Sequence, residues 1–242
     1  MSTERSRLTI NNLRVEIVRK DIKNLHLGVY PPNGRVRVAT PHRVNDDAVR
    51  LAVIAKLGWI KRQRARFDAQ PRQSKREMVS GESHYLLGRR YRLNVIKHNG
   101  PSKVALRKKT TIDLYVRPEV SAAQRERLLR RWYREQLAAL VPPLLDKWQP
   151  VLGVQVADWA IKKMKTRWGS CNAVARRIWL NLELAKKPVQ CLEYIVVHEL
   201  VHLLERYHND KFIAIMNESL PQWRSRRSEL NAAPLGHAKW NY

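Results

Sequence analysis

Tyr194-Ile-Val-Val-His-Glu-Leu-Val-His-Leu-Leu-Glu-Arg-Tyr-His208 is the stretch around which the chain is organised. His198 and His202 are four residues apart, so on a helix they lie one above the other and can hold one metal ion from the same side. Glu199 follows the first histidine, where a carboxylate reaches past a metal and can take a proton from an attacking water. His208 completes a three-residue ligand set. Three protein ligands leave a tetrahedral zinc one open position, the mark of a catalytic rather than a structural site. Glu218, on the next predicted helix, is the rival third ligand.

Around this core the segment 188–207 reads as a mostly apolar helix. Pro188 suits its start, and Leu192, Ile195, Val196, Leu200, Leu203 and Leu204 fall on faces that the two histidines do not use. A buried helix with two unpartnered histidines and a glutamate is costly, and a bound metal resolves that cost. Upstream, Val154–Ile161 and Arg177–Leu184 read as strands. Downstream, Asn209 is placed to cap a helix over 212–220, which lets His208 turn back toward the metal, and Trp223–Asn231 forms a last helix. Of the two cysteines, Cys171 and Cys191, Cys171 lies near the site in sequence. It reads as a small packed side chain, because no second cysteine gives a metal spacing. His237, in the tail, reads as a surface residue.

Four segments together carry a resemblance: Thr166-Arg-Trp-Gly-Ser-Cys171, Arg177-Ile-Trp-Leu-Asn-Leu182, Val196-Val-His-Glu-Leu-Val-His202 and His208-Asn-Asp-Lys-Phe212. They resemble the YgjP-like zinc metallopeptidases, which are related to the SprT group. The match is close over roughly 150–232 and looser in the amino-terminal region. The resemblance implies a minimal zincin fold binding one Zn2+ through His198, His202 and His208, with Glu199 as general base. It also makes 177–184 or the Trp168-Gly169 segment the candidate for pairing with an extended peptide. The spacing from His198 to His208 equals that of metzincins, but those have glycine where this chain has Glu205.

Charge is distributed unevenly. The 242 residues carry a formal net charge of +26, and residues 1–150 hold 33 Lys+Arg against 13 Asp+Glu, a net +20. A field of that sign favours polyanions, although a strongly solvated surface without a partner has the same composition. Hairpin signals recur in this region, first from Leu13 through Pro31-Pro-Asn-Gly34 to Ala39, then from Tyr85 to Arg117 around Asn99-Gly100. Between them a helix begins at Asn45-Asp46-Asp47 and ends in a basic segment, with Arg62, Arg64 and Arg66 as candidate nucleic-acid contacts. Residues 68–82 lack periodicity and read as a linker. Ser121-Ala-Ala-Gln124 opens another helix, expected to stop before Pro142-Pro143.

These readings give an α+β chain: a basic amino-terminal region of hairpins and helices (1–120), a connecting helix (121–150) and a zincin-like module (151–242), packed together. With 44% hydrophobic content, two cysteines, no apolar run near the ~18 residues of a membrane span and no secretory signal, a cytoplasmic protein is expected. Zinc-dependent hydrolysis of a peptide or protein substrate leads the functional readings, on nucleic-acid-associated proteins if the positive field is used. Two alternatives remain: a metal-dependent nucleotide pyrophosphatase, and a nucleic-acid-binding protein with a structural metal site.

Overall fold

Asn11 and Asn12 both take positive φ, 46° and 62°, and this two-residue turn folds strand β1 (Glu4–Ile10) back on β2 (Leu13–Arg19). Turns with two left-handed residues match the twist of the strands they join, and asparagine tolerates that conformation better than most side chains. The sequence reading began at Leu13 and missed β1. Strands β3 (His26–Tyr30) and β4 (Arg35–Thr40) complete a sheet of order β1-β2-β4-β3, with β2 and β4 parallel and the outer pairs antiparallel. In this computed structural model the described residues are 4–30, 34–69, 76–164 and 167–232.

The first sheet buries one face. Val15, Ile17, Val36 and Val38 pack against Val49 and Val53 of α1 (Asp46–Ala55) and Ile60 of α2 (Leu57–Ala69). The Asn45 side chain accepts from the Ala48 N–H at 2.9 Å and so starts α1, with Asp46 and Asp47 in its first turn.

The same topology then recurs. Strands β5 (Ser83–Leu86), β6 (Arg89–Lys97), β7 (Lys103–Arg107) and β8 (Thr111–Val116) form a sheet of order β5-β6-β8-β7, again with the central pair parallel. Leu87 and Gly88, at φ 49° and 81°, make the equivalent tight turn. A Cβ on Gly88 would lie 2.8 Å from Pro188 Cγ, so the turn can sit against the residue that starts the histidine helix only because position 88 is glycine.

Helix α3 (Ala122–Leu152) follows, opened by the expected capping box of Ser121 and Gln124. It does not stop at Pro142-Pro143. It runs on to Gly153, which takes φ 63° as a left-handed cap. Each internal proline removes a helical bond and costs about 3 kcal/mol in an exposed helix. Here Val141, Leu145, Trp148 and Leu152 are buried beyond or beside the prolines, and each such side chain contributes roughly 1.5–3 kcal/mol. Packing therefore outweighs local propensity.

The chain then forms β9 (Asp158–Lys162), β10 (Gly169–Asn172) and β11 (Arg177–Asn181), a small sheet with β11 in the middle. The expected strand over 177–184 ends early. The Asn181 side chain accepts from the Glu183 N–H and turns the chain into a 3-10 helix, Leu182–Lys186. Helices α4 (Val189–Val201), α5 (Asp210–Ser219) and α6 (Trp223–Ala232) complete the mixed α+β architecture.

The chain divides into two compact units between Pro71 and Arg72, inside the segment 68–82 read as a linker, of which 70–75 lie outside the described residues. The boundaries expected after 120 and 150 do not mark this division. Leu93, Ile112 and Leu114 of the second sheet share one core with Leu137 and Val141 of α3, Ile178 and Leu180 of β11, and Leu192, Val196 and Leu200 of α4. A sheet that buries its apolar face against α3, with β5 against the 3-10 helix that leads into α4, belongs to their unit, whatever its resemblance to the first sheet.

Candidate metal centre

Helix α4 is apolar almost all round, with Leu192, Ile195, Val196, Val197, Leu200 and Val201 buried. Glu193 pins it to its neighbours: its carboxylate accepts from Lys147 Nζ at 2.7 Å, Trp148 Nε1 at 3.0 Å and Arg226 at 2.5 Å. On this fixed helix His198 is partly buried, and His202 stands at the carboxyl cap with φ −66° and ψ −12°. The main chain then reverses. Asn209 accepts from the Phe212 N–H at 3.0 Å and starts α5, and the Glu205 carboxylate accepts from the Tyr207 N–H at 3.2 Å within the turn.

This reversal brings His208 back onto His198 and His202. The three ring centroids are 4.7–4.9 Å apart, and one nitrogen from each ring can be chosen so that all lie within 4.8 Å of one another. His198 Nε2 and His208 Nε2 are 3.0 Å apart. A tetrahedral zinc with Zn–N bonds of roughly 2.0–2.1 Å needs nitrogens about 3.3 Å apart, so the donor set fits such an ion with small ring adjustments. His202 Nδ1 lies 3.0 Å from the Glu205 carbonyl oxygen, which orients the ring and leaves Nε2 as the nitrogen that could hold a metal. The Phe212 ring packs against all three imidazoles at 4.7–5.0 Å.

Burial, reinforced by His202, His208 and Arg227, pushes the His198 pKa down to about 3, so the ring is a neutral donor at neutral pH. His208 is lowered by the same kinds of cause, burial first, then His202 and Arg227. Glu199 is 4% exposed, and burial raises its carboxyl to about 8 against a smaller opposing pull from Arg167. Strand β10 crosses directly over it. A Cβ on Gly169 would lie 2.8 Å from Glu199 Cγ and Cδ and closer still to Oε1, so only glycine leaves the carboxyl its place.

Among the sequence candidates, His198, His202 and His208 come together, and Glu199 lies buried next to His198 on α4, under Gly169. Glu218 is exposed on α5 and is not part of the cluster. Cys171 packs against the core, and burial followed by the Glu199 charge raises its thiol to about 11, as suits an inert side chain. Arg62 and Arg64 are exposed on α2, while the side chain of Arg66 and all of Thr166 and His237 lie outside the described residues.

Gly169, Asn181, Glu205 and Phe212 all stand in or beside the motifs read from the sequence, but their supporting roles at the site emerge only from the structure. Asn181, 5% exposed, donates to the carbonyls of Met164 and Arg167 at 3.0 and 2.7 Å and accepts from the Met164 N–H at 3.3 Å, holding the segment that leads into β10. An asparagine following Ile178-Trp-Leu180 was the available signal.

A comparison with curated proteins finds no match. The sequence profile of the YgjP-like metallopeptidase domain matches residues 23–233, most of both compact units and the whole histidine cluster. The chain therefore belongs to the YgjP-like metallopeptidase family.

Proposed function

We propose that this metallopeptidase is zinc-dependent, with His198, His202 and His208 holding one ion and Glu199 acting as general base. The observation that carries the reading is the convergence of three imidazole nitrogens within 4.8 Å beside a buried carboxyl. A zinc ion held there supplies a Lewis acid that polarises the scissile carbonyl and lowers the pKa of a water toward about 7. Glu199 takes the proton of the attacking water and returns it to the departing amine. Burial alone holds this carboxyl above the usual carboxylate range, and a cation bound nearby would favour the ionised form that accepts the proton.

The substrate is a peptide paired along β10. Strand β11 has neighbours on both sides, so 177–184 is unsuited to that role. Strand β10 is an edge, and the Asn181 N–H donates to the Trp168 carbonyl at 2.8 Å, which makes 168 and 181 a hydrogen-bonded pair. Bonded and non-bonded pairs alternate along an antiparallel ladder, so Ser170 also faces β11 while the main-chain groups of Gly169 and Cys171 face outward. An extended peptide adding to this edge would run alongside Gly169, the residue packed on Glu199.

Metal analysis beside peptide hydrolysis tests the proposal. The purified chain is expected to carry one zinc. His198→Ala, His202→Ala and His208→Ala lose it, whereas Glu199→Gln keeps it and turns over roughly 10²–10⁴ times more slowly. Full activity in Glu199→Gln, or zinc retained in the histidine variants, refutes the assignment.

A further inference from the structure

The first sheet has a second face. Because Val15, Ile17, Val36 and Val38 point into the core, strand alternation puts Arg5, Arg7, Arg14, Arg35 and Arg37 on the opposite side. The register gathers them: Arg7 stands opposite Glu16, Glu16 opposite Arg37 and Arg37 opposite Gly28, with Arg35 opposite Tyr30 in the adjoining row. Glu16 is taken by Arg35 and Arg37, at 3.2 and 3.0 Å. Arg5, Arg7 and Arg14 are exposed and have no ion-pair partner among the described residues.

An aromatic ring lies among these cations. Tyr30 extends across Gly28, where a Cβ would come within 2.7 Å of the ring, and it remains partly exposed with Arg37 at 5.9 Å from its centroid. Residues 1–71 hold 15 Lys+Arg against 6 Asp+Glu, a net +9, so the face sits in a positive field rather than being offset by neighbouring acids. Clustered arginines suit phosphodiesters, and an accessible ring on a sheet face suits an unpaired base.

We propose that this face of the β1–β4 sheet binds single-stranded nucleic acid, with the arginines on the phosphates and Tyr30 stacked on a base. The inference is independent of the peptidase reading. It also differs from the sequence-based candidate, which placed the contacts on α2.

Fluorescence anisotropy of the full chain with a labelled oligothymidylate of about 16 nucleotides, at about 50 and about 200 mM salt, tests it. Arg5→Glu/Arg7→Glu/Arg14→Glu should weaken binding more than about tenfold and flatten the log–log salt slope by about 2, at roughly 0.7 per lost phosphate contact. The same three positions changed to lysine should keep the slope. Tyr30→Leu should weaken the single strand by about fivefold or more and leave a duplex of the same length unaffected. Lys61→Glu/Arg62→Glu/Arg64→Glu, on α2, should change affinity less than about threefold although it removes as much charge. No binding at the lower salt, or an equal loss in the two triple-glutamate variants, overturns the proposal. So does an unaltered single-strand affinity in Tyr30→Leu, or binding to phosphatidylserine vesicles in place of the oligonucleotide.

Discussion

Gly169 shows how much of the site depends on one absent side chain. Its Cα stands where any Cβ would press on the Glu199 carboxyl, and Glu199 is buried on α4 among other buried side chains. Gly169→Ala should therefore overpack the site at a cost of about 1–3 kcal/mol and displace the carboxyl or strand β10. The atoms nearest to a Cβ at position 169 all belong to Glu199 and none to a histidine, so zinc content should stay near one per chain while kcat falls at least about tenfold, a loss of about 1.4 kcal/mol of transition-state stabilisation. Plasma mass spectrometry beside a peptide assay separates the two effects. A variant with normal kcat would show that the glycine is incidental. Glu205 works at the same scale: its main chain orients His202 and its side chain shapes the turn to His208, two tasks that its carboxylate character alone did not suggest.

At the scale of elements, the place of the third histidine depends on how two helices are joined. Helix α4 is capped by His202 and α5 by Asn209, so His208 is positioned by a reversal of a few residues whose far end is fixed by the Asn209 cap. Removing that cap with Asn209→Ala should cost about 1 kcal/mol of stability. The same loosening should reach the metal: competition with a chromogenic chelator should show zinc held several-fold more weakly, with His198 and His202 still binding. An unchanged zinc affinity would mean that Phe212 packing, rather than the cap, holds His208. Helix α3 gives the complementary lesson. Pro142 and Pro143 mark a helix end by every local rule, yet Val141, Leu145 and Trp148 continue the buried stripe through them, and burial prevails.

For the molecule as a whole, the larger compact unit carries a buried histidine outside the metal cluster. His84, on β5, is 4% exposed, and its pKa is lowered to about 4, by burial first and by Arg76 next, against the opposing pull of Glu82 at 3.3 Å. Unfolded His84 takes up a proton below about pH 6.5, whereas folded His84 does so only below about 4. Between these values the unfolded state binds more protons, so stability falls as pH falls, by an amount on the order of 3 kcal/mol. Urea unfolding of the zinc-free chain at pH 7.5 and 4.5 should show this drop, and His84→Gln should show a distinctly smaller one. An equal drop in both would place the acid sensitivity elsewhere. No described helix is long and apolar enough to cross a membrane.

The stretch from Tyr194 to His208 made the histidine cluster legible before any fold was known, because helical spacing and ligand chemistry are both local properties. The capping residues Asn45, Ser121 and Asn209 were legible for the same reason, each bonding within three residues of itself. What only the tertiary structure decided involves contacts between distant residues. The second sheet joins the unit of the histidine helix because its buried face meets α3 and its first strand meets the 3-10 helix before α4, pairings that no local pattern encodes. Gly169 acquires its role only when β10 is laid across α4, and the arginines of β1, β2 and β4 become one surface only when strand register sets them side by side. Local chemistry can be read along the chain, but burial and register arise from chain segments meeting in space, where packing decides which local preferences prevail.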